Sequence, residues 1–115
     1  MNNSLPNLLQ LTETLFVHSA LEPNDMQHVA NAGFKSVIIN LPDYELGENQ
    51  ATASSIMTAA RALGLEIIYQ PVVTKEMTHH DCKLFHNNIA KLPSPVLAFC
   101  SSGNRCTLLF NGIIP

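Results

Sequence analysis

A chain of 115 residues, 46% of them hydrophobic, is enough for one packed domain and too short for two. Only 13% is charged, the net charge is −3, and the six Lys and Arg are scattered with no Trp among them, which argues against a nucleic-acid surface. No apolar run reaches the ~18 residues of a membrane helix, and the three irregularly spaced cysteines do not read as a disulfide framework.

The N-terminus has no cationic start, and Asn2, Asn3, Asn7 and Gln10 interrupt its apolar residues, so no signal peptide is expected. A cytoplasmic, reducing location follows, with no membrane partner. Leu15-Phe16-Val17-His18 reads as a short edge strand. Pro23 suits a helix's first position, with Asn24 and Asp25 in the first turn. Met26, Val29 and Ala30 form its apolar stripe, and Gly33 stops it. Val37-Ile38-Ile39 is continuous and β-branched, as in a parallel strand buried on both faces.

After a polar loop over residues 42–49, Ile56, Ala59, Ala60 and Leu63 repeat at helical spacing, ended by Gly64. Glu66-Ile67-Ile68-Tyr69 is the next strand, closed by Pro71. Thr78 and Asp81 form a capping-box pattern. The helix they open carries Cys82, Phe85, Ile89 and Leu92 on one face. Pro93-Ser94-Pro95 breaks the chain, Val96-Leu97-Ala98-Phe99 is a last buried strand, and a short helix follows near Arg105. Such alternation predicts a three-layer α/β domain with a mostly parallel sheet of four to five strands flanked by helices. Ligands bind at the carboxyl ends of such strands.

Cys100-Ser101-Ser102-Gly103-Asn104-Arg105 sits at one of those ends, and each residue type there suits anion chemistry. Amides from Ser101 to Arg105 are expected to curl into a nest. Gly103 can take positive φ and let the backbone close. The following helix aims its positive end at the same point, and Arg105 offers a planar fork. Together these favour the thiolate of Cys100, the expected nucleophile. A small anionic substrate fits this loop, and no cofactor is implied.

The loop resembles those of cysteine-dependent phosphatases and of rhodanese sulfurtransferases. Residues 32–45, Gln70-Pro71-Val72 and residues 95–100 resemble the phosphatase-like domain of the beta-lactamase hydrolase-like proteins, with the likeness running from about Leu15 to Leu109. That resemblance implies a cysteine-phosphatase-like fold and a Cys100–Arg105 pair in the loop.

Two chemistries compete. Four residues, Ser101 to Asn104, separate Cys100 from Arg105, a spacing that looks like rhodanese rather than the five typical of phosphatases. A phosphatase also needs an acid for its leaving group, and the loop after Pro71 holds no Asp. Asp43 and Glu76 are the possible acids. Sulfane-sulfur transfer through a Cys100 persulfide is therefore the leading expectation, and phosphomonoester hydrolysis through a phosphocysteine the alternative.

A third expectation is a non-catalytic anion-binding or redox-sensing module. Cys106 stands where both families usually have Ser or Thr, and it is a possible resolving thiol for an oxidised Cys100. The family's last helix usually continues beyond Asn111-Gly112. Ile113 and Ile114 therefore read as an apolar tail through which a homo-oligomer could form. His79, Cys82 and His86 share one helix side, but a single face rarely closes a metal site, so no metal is expected.

Overall fold

The computed structural model describes residues 5–115, and residues 1–4 of the N-terminal stretch lie outside the described residues. In chain order the elements are β1 (Leu9–Gln10), β2 (Leu15–His18), a 3-10 turn (Pro23–Asp25) running into α1 (Met26–Asn31), β3 (Ser36–Ile39), α2 (Ala53–Ala62), β4 (Glu66–Tyr69), α3 (His79–Lys91), β5 (Val96–Phe99) and α4 (Asn104–Asn111). A second 3-10 turn, Thr74–Glu76, lies between β4 and α3.

The five strands form one mixed sheet in the order β1-β2-β5-β3-β4. β2, β5, β3 and β4 are parallel, and β1 alone runs antiparallel, against β2. This corrects the expectation that residues 15–18 form an edge strand. Leu9 and Gln10 take the edge, and both are exposed. Two residues with no buried face leave no alternation in the sequence by which to find them.

Strand parity divides the core in two. Val37, Ile39, Leu97 and Phe99 face α1 and α2, where Met26, Val29, Ile56 and Ala60 cover them. Ile38, Val96 and Ala98 point the other way, with Leu15 and Val17, onto Cys82 and Phe85 of α3 and Leu109 of α4. Period-two alternation carries Cys100 onto that second side, under α4. Every residue of β3 and β5 is buried, as expected for strands covered on both faces.

The helices begin as their sequences suggest. Thr78 Oγ1 accepts from Asp81 N, and Thr78 N donates to Asp81 Oδ2 at 2.8 Å, completing the capping box of α3. Leu63 falls one residue beyond α2 and is 38% exposed, so the apolar stripe there ends at Ala60. Among the described residues no helix is long and apolar enough to cross a membrane.

Parallel strands bring their carboxyl ends to one rim. The register pairs Phe99 with both His18 and Ile39, and Ile39 with Tyr69. The residues that follow β3, β4 and β5, which are Asn40, Gln70 and Cys100, therefore cluster there. Backbone bonds extend the ladder: Asn40 N donates to Phe99 O (2.9 Å) and Gln70 N to Ile39 O (2.8 Å).

Candidate active site

Cys100 leaves β5 and the chain turns at once into α4. Gly103, just before that helix, has φ +90°, a conformation that an L side chain adopts only with strain. Its backbone also runs close to β2: a Cβ there would lie 3.6 Å from the carbonyl carbon of His18. The turn is pinned at several points. Ala20 N donates to Ser101 O (3.3 Å), and Thr107 donates to Gly103 O through both its N–H (3.2 Å) and its hydroxyl (3.0 Å).

The sulfur of Cys100 is fully buried and faces converging donors. Gly103 N–H points at Sγ from 3.1 Å, and the backbone amides of Ser102 and Cys106 also favour its thiolate. The nest differs from the expected one. Asn104 N–H turns instead to Ser102 Oγ (3.3 Å), and the amide of Cys106, beyond Arg105, takes part. The Cys106 thiol lowers the Cys100 pKa most, and with the amides it outweighs burial to bring it from 9.0 down to about 5. Cys106 moves oppositely: burial first, then the hydrogen bond and charge of Cys100, push its thiol well above the usual range. Cys106 Sγ also donates to Asn40 Oδ1 at 3.2 Å.

Arg105, in the first turn of α4, is 7% exposed, and its guanidinium is held on two edges. Nη1 donates to Glu45 Oε1 (3.0 Å) and to the Val72 carbonyl (2.8 Å), and Nη2 to Glu45 Oε2 (2.8 Å). Of the five N–H groups this leaves Nε–H and one Nη2–H, which lie side by side on the third edge. Nε is the buried side-chain polar atom without a hydrogen-bond partner among the described residues. Such orphans are rare in folded proteins. A side-on pair of donors matches two oxygens of a tetrahedral or planar anion.

The other expected residues lie elsewhere. Asp43 Oδ1 accepts from Ala53 N at 2.7 Å, so its carboxylate holds the first turn of α2. Glu76 is exposed in the 3-10 turn after β4. Among the described residues no hydrogen bond joins either to Cys100 or Arg105. Cys82 belongs to the second core cluster. His86 Nε2 pairs with Phe110 O (2.7 Å) and its ring stacks on Phe110, while no metal-competent His, Cys, Asp and Glu cluster exists among the described residues. Ile113 and Ile114 are 52% and 36% exposed, and the three cysteines are free thiols. A cavity of about 330 Å³ opens beside Ser102, Gly103 and Asn104, walled by Leu9 and Val17.

Sequence reasoning missed Glu45 and Asn40. The sequence marks each by position alone, an acid inside a loop at a carboxyl-end rim and an amide directly after an unbroken buried strand, and neither position names a partner.

Residues 7–112 match the family model described as the phosphatase-like domain of the beta-lactamase hydrolase-like protein. The chain belongs to this family. It is 29% identical over 103 residues to the beta-lactamase hydrolase-like protein of Xylella fastidiosa, which covers 90% of this chain and 24% of that protein. The chain thus spans about a quarter of the length of that curated relative.

Among solved structures it is similar to a candidate phosphatase of Neisseria meningitidis, with 33% identity, a TM-score of 0.84, and coverage of 90% of this chain and 73% of that one. The P. aeruginosa protein TpbA, solved as a cysteine-to-serine variant in complex with phosphotyrosine, shares 15% identity over 95% of this chain and 62% of its own, with a TM-score of 0.66. At that identity the likeness concerns the fold, which is cysteine-phosphatase-like. The sulfur-transfer expectation drawn from the loop's spacing gains no support from these relatives; the phosphatase alternative fits them better.

Proposed function

We propose that this domain hydrolyses phosphomonoesters through a phosphocysteine on Cys100. One observation carries the reading: the guanidinium of Arg105 is clamped with its buried Nε unpartnered among the described residues, in the same loop as the low-pKa thiol of Cys100. In this mechanism the thiolate attacks phosphorus, the S–P bond forms, and the ester P–O bond breaks with its electron pair leaving on the alcohol oxygen. The Arg105 edge holds the phosphoryl oxygens as charge develops on them, while the Gly103 amide stays on the sulfur. Water then cleaves the S–P bond, releasing inorganic phosphate and restoring the thiolate.

Leaving-group protonation bears on the substrate class. Asp43 is engaged at α2 and Glu45 at Arg105, so Glu76 is the acid of this set whose carboxyl has no hydrogen bond among the described residues. Esters of acidic alcohols, such as aryl phosphates, need the least help and are the favoured substrates. The four-residue spacing of Ser101 to Asn104 keeps sulfur transfer as the second reading.

One experiment separates the readings. Aryl phosphate turnover and intact mass after thiosulfate are measured for the wild type and for Cys100→Ser. Turnover that disappears in the variant supports the proposal. Gain of a single sulfur at Cys100 without ester turnover would replace it with sulfur transfer. Neither signal, with a Cys100–Cys106 disulfide forming under peroxide, would make the domain a redox module.

A further inference from the structure

Asn40 is fully buried, and every polar group it carries is assigned. Its N–H goes to Phe99 O and its carbonyl accepts from Val72 N (3.1 Å). Nδ2 donates to the Gln70 carbonyl at 2.9 Å. A carbonyl only accepts, so the orientation of this side-chain amide is fixed by its partner, and Oδ1 must face Cys106 Sγ, 3.2 Å away. Gln70 is held in turn from α3, with its Oε1 accepting from Asn88 Nδ2 (2.9 Å) and its Nε2 donating to Asp81 O (3.1 Å). The acceptor in front of Cys106 therefore rests on a fixed, buried scaffold.

Cys106 Sγ carries one proton, which it gives to Asn40 Oδ1 at 3.2 Å, and it shares a buried cluster with Cys100, whose sulfur is the other acceptor that this S–H bears on. A proton directed at one is withheld from the other. We infer that Asn40 is a positioning residue that competes with Cys100 for the single S–H of Cys106 and so sets how much hydrogen bonding the nucleophile receives. With the S–H turned to Asn40, the Cys100 sulfur keeps more of its electron density for attack. With the S–H turned to Cys100, the sulfur is stabilised as a leaving group. A rotation about one Cys106 torsion connects the two arrangements.

Among the described residues, the surrounding charges do not supply a third acceptor. Arg105 on α4 is a donor, and Glu45 from the loop after β3 is taken by Arg105. The ring of His18, at the end of β2, accepts from Asn7 N at Nε2 (3.3 Å) and pairs with Ser19 O at Nδ1 (2.9 Å).

The test reads the thiol rather than turnover, so it stands even if the phosphatase reading, on which the leaving-group role rests, fails. The rate of iodoacetamide alkylation at Cys100 is followed against pH by peptide mass, for the full chain. Cys106→Ala should raise the midpoint. Asn40→Ala should lower it by about half a unit or more, the value of one ordinary hydrogen bond redirected to the thiolate. Placed in the Cys106→Ala background, Asn40→Ala should leave the midpoint unchanged. An equal shift in both backgrounds, or a raised midpoint in Asn40→Ala alone, would overturn the inference, because either marks a general structural effect. Should Asn40→Ala fail to fold, Asn40→Ser, whose hydroxyl is too short to replace Oδ1, is read by the same criteria.

Discussion

Glu45 grips Arg105 end-on, Oε1 3.0 Å from Nη1 and Oε2 2.8 Å from Nη2, across sixty positions of sequence. A carboxylate set against the one cation of an anion site could act as a plug. The geometry argues for a clamp instead. Glu45 occupies the Nη1–Nη2 edge and the Val72 carbonyl the outer Nη1–H, which leaves the Nε–Nη2 edge as the fork. The guanidinium loses its rotational freedom during folding rather than during binding, and preorganised donors cost nothing to orient when charge develops.

Glu45→Gln should therefore lower kcat on an aryl phosphate by about tenfold, with KM within about twofold, because orientation contributes chiefly in the transition state. It should also lower stability by about 2 kcal/mol, short of the loss for a sealed pair since 28% of the Glu45 side chain is exposed. Steady-state kinetics and denaturant unfolding check both. A rise in kcat/KM would mean that Glu45 blocks the site.

Cys100 titrates at about 5 in the folded chain against 9.0 for an ordinary thiol. Alkylation at Cys100 should be half-maximal near pH 5, far below that of Cys82, whose thiol is raised by burial and by Asp81. Between the two values the unfolded chain binds a proton that the folded chain does not. Stability from this group is thus present above pH 9 and declines as pH falls towards 5. The stability of the wild type relative to Cys100→Ala should rise between pH 5 and pH 9. A flat difference would show that the thiolate is not selectively held.

Gly103→Ala should loosen the cup without filling it. The added Cβ meets His18 backbone at an ordinary 3.6 Å, but φ +90° strains any L side chain. A cost of about 1–2 kcal/mol is expected in unfolding experiments. The amide that reaches Sγ at 3.1 Å would shift with the backbone, and the alkylation midpoint of Cys100 should move upward. An unchanged midpoint would remove Gly103 from the sulfur's environment.

Much of this was legible in the sequence because it is local. The apolar runs 37–39 and 96–99, the Thr78–Asp81 box and the Cys100–Arg105 loop each carry their signal within a few residues, and each stands where its pattern placed it. Glu45 and Asn40 were illegible for the opposite reason. Their partners lie sixty and sixty-six positions away, and only the tertiary fold brings them together. Nothing in a polar loop or a lone Asn announces such a closure. Loop length pointed another way: counting residues between Cys100 and Arg105 suggested sulfur chemistry, whereas the relatives fit the phosphatase alternative better.

The same distinction between local and distant partners separates the two acids. Asp43 Oδ1 takes the Ala53 amide at 2.7 Å, next to Thr52, whose hydroxyl caps Ser55 N. A carboxylate at a helix start satisfies an orphan donor and complements the dipole, a structural role worth about 1 kcal/mol. Asp43→Ala should lose that stability while aryl phosphate turnover, measured well below the unfolding transition, stays within about twofold, since acid catalysis would contribute 10²–10⁴-fold. Glu76 has no such engagement in its turn. Glu76→Gln should leave stability unchanged and slow esters of poorly acidic alcohols more than aryl esters, because only the former need a proton at the departing oxygen. If Asp43→Ala instead removes the alkyl-ester rate and Glu76→Gln does not, the carboxylate of Asp43 must leave α2 during turnover, and the loop over residues 42–49 moves in the catalytic cycle.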